Sequence, residues 1–259
     1  MSYDYKKGKL IIEEILNSKP EINDTTKIPK SDNEFTFDNA HYGWVTAIFV
    51  DIRDSTILFS GDDKYITAKI VRAFTSEIIE ILREDSNCTG LLREIGIRGD
   101  CVYAIYTAKD PISEVVDIYL QKAFYINTFL SMLNKMLDEK GYRNIKAGIG
   151  VATDKELVIK AGRRDVGINA KVWIGNAVTK ASYLSSLGNK DGKKTIALCE
   201  TTYKNAIDQV ISRNLNHETR YGIINWFSYS SDDKCYFTNV VKKEFNNWIK
   251  KGAVLDNTL

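Results

Sequence analysis

A short β-branched and aromatic run, Trp44-Val45-Thr46-Ala47-Ile48-Phe49-Val50, breaks off on an acid, Asp51. A continuous apolar stretch of this kind is the pattern of a strand buried on both faces, so other elements must layer around it. The downstream sequence supplies them. Over 64–85 the apolar residues Ile66, Ile70, Val71, Phe74, Ile78, Ile81 and Leu82 recur every three or four positions, which predicts a helix with one buried face. Residues 91–98 and 101–106 are strand-like runs separated only by Gly99-Asp100, a tight hairpin with an acid in its turn. A second long helical pattern covers 112–139 and stops at Gly141, after which 145–152 and 156–160 read as strands.

In chain order these elements are β-α-β-β-α-β. The expected fold class is therefore α+β with a ferredoxin-like core, two helices on one sheet face and the other face free for a cover. Helices over 175–187, 201–212 and 241–250, a strand near Ile196 and a hairpin of 221–228 with 234–238 form a C-terminal extension. Residues 8–17 have helical spacing, and the polar stretch to about residue 40, with Pro20 and Pro29, reads as an irregular accessory lead-in. The expected organisation is a lead-in over 1–40 and one domain over 41–259.

Thirty-six basic against 34 acidic side chains leave a formal net charge of +2, so no broad field of one sign marks a nucleic-acid partner. At 44% hydrophobic and 27% charged residues, the chain can bury a core, which excludes a disordered or fibrous class. No segment approaches the roughly 20 apolar residues of a membrane span, and the first residues lack a signal-peptide pattern; the expected location is cytoplasmic, without a membrane partner. Cys88, Cys101, Cys199 and Cys235 have no zinc-like or disulfide-like spacing and are read as plain thiols. His41 and His217 are read as structural.

Asp51 and Asp100 are the chemistry-bearing pair. In a ferredoxin-like sheet the first strand lies beside the hairpin, so both acids converge at one edge. Like charges placed there repel unless a cation sits between them, and two carboxylates plus substrate phosphates suit Mg²⁺ or Mn²⁺. Taken singly, Asp51 would cap the next segment and Asp100 would serve a turn. The stretch 52–56 offers backbone N–H groups with Arg53, Ser55 and Thr56 for a phosphate chain, although it lacks the glycines of a P-loop or dinucleotide fingerprint.

Phe49-Val50-Asp51-Ile52 with Ser55-Thr56, the Gly99-Asp100 hairpin, Ala147-Gly148-Ile149-Gly150, and Val172-Trp173-Ile174-Gly175-Asn176-Ala177-Val178 resemble, in order, the class III nucleotidyl cyclase catalytic domain over about residues 44–187. The resemblance implies two metal ions held by Asp51, Asp100 and the Ile52 carbonyl. It also implies a head-to-tail homodimer with the active sites in the shared cleft. Where purine cyclases carry their base-reading side chains, this chain has Gly96 and Val172, which offer no polar group to a purine edge; the family's transition-state Asn and Arg fall on Thr179 and Tyr183.

Asp51-Ile52-Arg53 with Ser55, Gly99-Asp100-Cys101-Val102-Tyr103-Ala104-Ile105-Tyr106, and Lys160-Ala161-Gly162 followed by Gly167-Ile168-Asn169 and Val172-Trp173 are most similar to one branch, the pyrimidine cyclases of bacterial anti-phage Pycsar systems. That resemblance implies conversion of UTP, or alternatively CTP, to the cyclic 3′,5′-monophosphate as a messenger in antiviral defence, with a separate effector downstream. Lys146, Arg53 and Arg163-Arg164 are candidate cations for the phosphates, and Arg98, Arg93 and Tyr42 candidate base readers. Arg98 shares strand alternation with Gly96 and is expected to enter the space the glycine vacates. Two other readings stay open: an inactive cyclase-like nucleotide-binding module, and another palm-type phosphotransferase.

Overall fold

The computed structural model describes residues 3–56, 63–83, 90–107, 110–164, 167–213 and 216–253. The βαββαβ core is present. β1 (Glu21–Asp24) precedes β2 (Asn39–Ile52); α2 (Lys64–Leu82) leads to the hairpin of β3 (Leu92–Arg98) and β4 (Cys101–Thr107); and α3 (Gln121–Glu139) leads to β5 (Ala147–Gly162). The sheet order β3-β4-β2-β5-β7-β9-β8 puts β2 between the hairpin and β5, as the ferredoxin-like arrangement requires. β6 (Asn169–Gly175) pairs with the far half of β5; β7 (Ile196–Leu198), β9 (Cys235–Thr238) and β8 (Ser228–Ser230) extend the sheet.

One face of the sheet carries the main core. Ile48, Val50 and Ile52 of β2, with Val102, Ala104 and Tyr106 of β4, pack on Ile70, Phe74, Ile78 and Leu82 of α2 and on the apolar face of α3. The three- and four-residue spacing of those α2 residues places them in one stripe, which is why this helix lies flat on the sheet.

The other face is not free. Helix α4 (Asn176–Leu187) lies across β5 and β2, burying Ala181 and Leu184 against Ala47, Phe49 and Ala152. Gly148 and Gly150 make this possible: a Cβ at either would run into the α4 backbone or the Gly188 carbonyl that follows it. The expected open face is thus covered in its centre by the chain itself.

Several boundaries differ from expectation. β2 and β5 are longer than their apolar runs because backbone pairing continues through polar residues, from Ala40↔Ile159 to Ile52↔Ala147, so 145–152 and 156–160 belong to one strand. The predicted helix over 112–139 begins as a turn, Pro111–Glu114, passes through a π-helical turn, Val115–Leu120, and becomes α-helical at Gln121. Residues expected in a strand over 221–228 fall partly in a helix, α6 (His217–Ile224), after α5 (Glu200–Ser212). The end of the predicted 64–85 helix and Cys88 lie outside the described residues. The predicted helix over 241–250 is α7 (Lys243–Lys250).

The first 40 residues do more than lead in. After α1 (Tyr5–Asn17), β1 pairs in parallel with the start of β2. Ile28 and Phe35 are buried beneath β6 and β4 with Val45, Ile105 and Val158, and the Ile28 N–H donates to Thr107 Oγ1 at 2.8 Å. Among the described residues no helix is long and apolar enough to cross a membrane.

Candidate active site

The antiparallel pairing of β2 with β4 sets Asp51 opposite Cys101. Asp100, one residue earlier in the β3–β4 turn, therefore lies at the same sheet end as Asp51, as the sequence pattern predicts. Gly99 takes φ 63° in that turn, a conformation glycine adopts without a Cβ penalty. Asp51 is half-buried, and burial raises its pKa; the Arg53 guanidinium opposes this, and the Asp100 charge adds to it. Cys101 sits between the two acids, and burial, followed by the Asp51 charge, pushes its thiol up to about 12.

Arg53 is tied to this pair rather than open to solvent. Its Nη2 donates to Asp51 Oδ2 at 2.5 Å and to the Asp51 carbonyl at 3.2 Å, and its Nη1 donates to the Ser186 carbonyl on α4 at 2.9 Å. Its Nε is buried with no hydrogen-bond partner among the described residues. Backbone register continues past the strand, since the Arg53 N–H donates to the Lys146 carbonyl at 2.7 Å. Asp54 then takes φ 54°, turning the chain sharply so that Ser55 and Thr56 open a helical turn; Ser55 is half-buried, while Thr56 and the Lys146 side chain are exposed. Ile52 is buried, and its carbonyl follows Asp51 at the strand end.

The donor set can be judged against divalent ions. Among the described residues no group of three or more His, Cys, Asp or Glu side chains is placed to hold a metal. Two carboxylates and a strand-end carbonyl fit ions that share their coordination with substrate phosphates better than a closed protein cage. In this structure the positive charge beside Asp51 is the Arg53 guanidinium.

The proposed base readers separate. Arg98 is exposed and shares the sheet face of Gly96, but the space over Gly96 is already taken: a Cβ there would lie 2.8 Å from the Tyr103 ring. Arg98 therefore does not enter a void left by the glycine. Arg93 is a structural clamp, its Nε donating to the Ile28 carbonyl and its Nη1 to the Gly90 carbonyl at 2.8 Å. Tyr42 pairs with Asp24 and Leu157, nine positions before Asp51, so it stands about 30 Å down the strand from the acid pair at 3.3–3.4 Å per residue, with Lys155 over its ring. Arg164 pairs with Asp38 at 2.5 Å beside the Phe37 ring, also at that far end.

The sequence does not single out Glu94, and it carries Tyr103 and Trp173 only as parts of matching segments, without a site role. Tyr103 donates its hydroxyl to Glu94 Oε1 at 2.6 Å and stacks on Phe49 at 5.1 Å, and Trp173 Nε1 donates to Glu94 Oε2 at 2.7 Å. Strand alternation could have put Glu94, Gly96 and Arg98 on one face; nothing local joins them to Trp173. Glu156 was missed as well. It is fully buried, its Oε1 accepts from the Ala177 N–H at 2.5 Å and the Val178 N–H at 3.3 Å, and Gly175 packs against it, so it caps α4 from a neighbouring strand. Thr179 and Tyr183 lie one turn apart on the exposed side of that helix.

No family model matches the chain. It is similar to a uridylate cyclase of Treponema porcinum, 47% identical over 260 residues, which covers 99% of this chain and 84% of the relative. It is also 31% identical over 260 residues to a uridylate cyclase of Gulbenkiania mobilis, covering 96% and 97% of the two chains. Among solved structures, the adenylyl cyclase CyaB of P. aeruginosa shares the fold with a TM-score of 0.55 at 19% identity, over 65% of this chain and 83% of that one.

Proposed function

The chain belongs to the uridylate cyclase family, a nucleotide cyclase on a class III cyclase fold, and from that premise we propose that it converts UTP to cyclic 3′,5′-UMP and pyrophosphate. The observation that carries the reading is the meeting of Asp51 and Asp100 at one sheet end. In the reaction the ribose 3′ oxygen attacks the α-phosphorus, the bond from that phosphorus to the bridging oxygen breaks, and the 3′ proton leaves to solvent. Asp51, Asp100 and the Ile52 carbonyl would hold the divalent ions, Mn²⁺ or Mg²⁺, two per site. When bound, such ions neutralise phosphate charge and lower the pKa of the attacking hydroxyl. The Arg53 guanidinium opposes the rise in the Asp51 pKa that burial and the Asp100 charge impose. Ser55, Thr56 and Lys146 face the phosphate chain.

Pyrimidine over purine is supported by Tyr103, whose ring takes the space above Gly96, where purine cyclases carry a base-reading side chain. UTP rather than CTP is supported by the near-full-length likeness to proteins named for uridylate. A head-to-tail homodimer is supported by the outward-facing Thr179 and Tyr183 on α4, the Tyr183 ring being more than half exposed. The messenger would serve antiviral defence and act on a separate effector.

Thr179 favours a second reading, a nucleotide-binding module without turnover, because its hydroxyl is spent on the Gly175 carbonyl at 3.0 Å. Incubation of the purified protein with each nucleoside triphosphate and Mn²⁺ separates the two. Cyclic UMP in the mass spectrum with matching pyrophosphate, lost in Asp51→Ala and Asp100→Ala, supports the cyclase; binding without product supports the module.

A further inference from the structure

Uracil and cytosine have the same shape and differ in polarity at two adjacent ring positions. Uracil presents N3–H as a donor beside the O4 acceptor, whereas cytosine presents N3 as an acceptor beside an amino donor. A site that prefers uracil must therefore offer an acceptor next to a donor.

Glu94 and Arg98 bring an acceptor and a donor to the sheet face that carries Asp51, their Cα atoms about 13 Å apart along β3 so that only the side chains converge toward a base between them. They flank Gly96 by strand alternation, each about 7 Å from it along β3. Gly96 puts no side chain of its own between them, and the Tyr103 ring lies across it. Glu94 is half-buried, and both its partners are neutral: Tyr103 Oη gives a hydrogen bond to Oε1 at 2.6 Å and Trp173 Nε1 gives one to Oε2 at 2.7 Å. Those two donors fix the orientation of the carboxylate. A carboxylate has about four lone-pair sites, so it keeps acceptor capacity after these two bonds. Arg98, exposed at the strand end and close enough for its charge to act on the Tyr103 hydroxyl, brings only donors.

We infer that Glu94 sets the choice of uracil over cytosine, its Tyr103- and Trp173-anchored carboxylate accepting the ring N3–H while Arg98 donates to O4. Cytosine meets the same pair with its polarity reversed: its N3 lone pair faces a carboxylate and its amino group faces a guanidinium. Tyr103 and Trp173 act as positioning residues, holding an acceptor that neither of them replaces.

This inference rests on the pyrimidine cyclase reading, and the unmodified protein separates their failures. If the wild-type protein makes no cyclic pyrimidine from UTP or CTP, the activity reading falls and takes the inference with it. If it cyclises UTP, the inference is tested with 3-methyluridine triphosphate, which lacks the N3 proton, against 5-methyluridine triphosphate, which keeps it. The expected result is a fall in kcat/KM of at least about tenfold for the 3-methyl substrate and a small change for the 5-methyl substrate. Equal use of the 3-methyl and 5-methyl substrates overturns the inference. Glu94→Gln, which keeps the shape and can donate, is expected to lower the UTP-to-CTP ratio of kcat/KM by about tenfold or more. An unchanged ratio, or an equal loss on both substrates, overturns it as a specificity role.

Discussion

Arg53 and Asp51, two residues apart, close a salt bridge of 2.5 Å around the turn that ends the central strand, and the same guanidinium reaches the Ser186 carbonyl on α4. The contact joins the acid pair to the helix covering the second sheet face. It also opposes the rise in Asp51 pKa caused by burial and by Asp100. Catalysis through a carboxylate is present above that group's pKa and lost as the pH falls through it. In Arg53→Gln the opposing charge is gone, the Asp51 pKa rises further, and the acid limb of kcat/KM against pH moves to higher pH. Superimposable profiles for the two proteins would remove this role.

Replacing either acid by its amide leaves size and shape nearly intact and removes the charge. Asp51→Asn and Asp100→Asn should each cut turnover by on the order of 10²–10³-fold or more, with thermal unfolding changed little. Pyrophosphate release under saturating Mn²⁺ is the measurement, and turnover within tenfold of wild type in both variants would contradict the assignment.

Glu156 is buried with Oε2 lacking a hydrogen-bond partner among the described residues, and burial raises its pKa against the two α4 N–H groups that favour the charged form. A folded pKa above the unfolded one means that its contribution to stability is whole below the ordinary Glu range and declines as pH rises through the raised value. Glu156→Gln keeps an acceptor for Ala177 and Val178 and does not ionise. Its stability relative to wild type should therefore be more favourable at pH 8 than at pH 4, as read by urea denaturation at both pH values.

Gly150 lies directly under Ala181 and Ser185 of α4, with no room for a methyl group. Gly150→Ala must lift the helix or bend the strand, at a cost of about 1–3 kcal/mol. Chemical denaturation measures this, and a change below about 0.5 kcal/mol would show that α4 does not press on β5.

Cys101 should stay a thiol at pH 8, because burial and the Asp51 charge hold it up at about 12. Mass-spectrometric mapping after iodoacetamide treatment is expected to find it unmodified in the folded protein and modified in denaturant.

The parts legible in the sequence are those set by local periodicity. The Trp44–Val50 run, the α2 stripe and the Gly99-Asp100 turn each carry their conformation in neighbouring residues, so the βαββαβ order and the convergence of Asp51 with Asp100 follow from them. Nearness in the chain to the first strand points Tyr42 toward the base site, but β2 runs on through polar residues and carries it to the opposite end of the sheet. Arg93 offered the same charge as Arg98, and only its clamp on the Ile28 and Gly90 carbonyls shows that this charge is spent.

Strand identity, helix faces and the two acids were decided by the chain's own alternation of apolar and polar residues, because burial of one face is a property of the local pattern. The covering of the second face by α4, the filling of the Gly96 space by Tyr103, and the meeting of Glu94 with Trp173 across 79 residues were decided by tertiary structure alone. They depend on strand register and helix crossing, which arise from close packing between distant segments and leave no mark in any one of them.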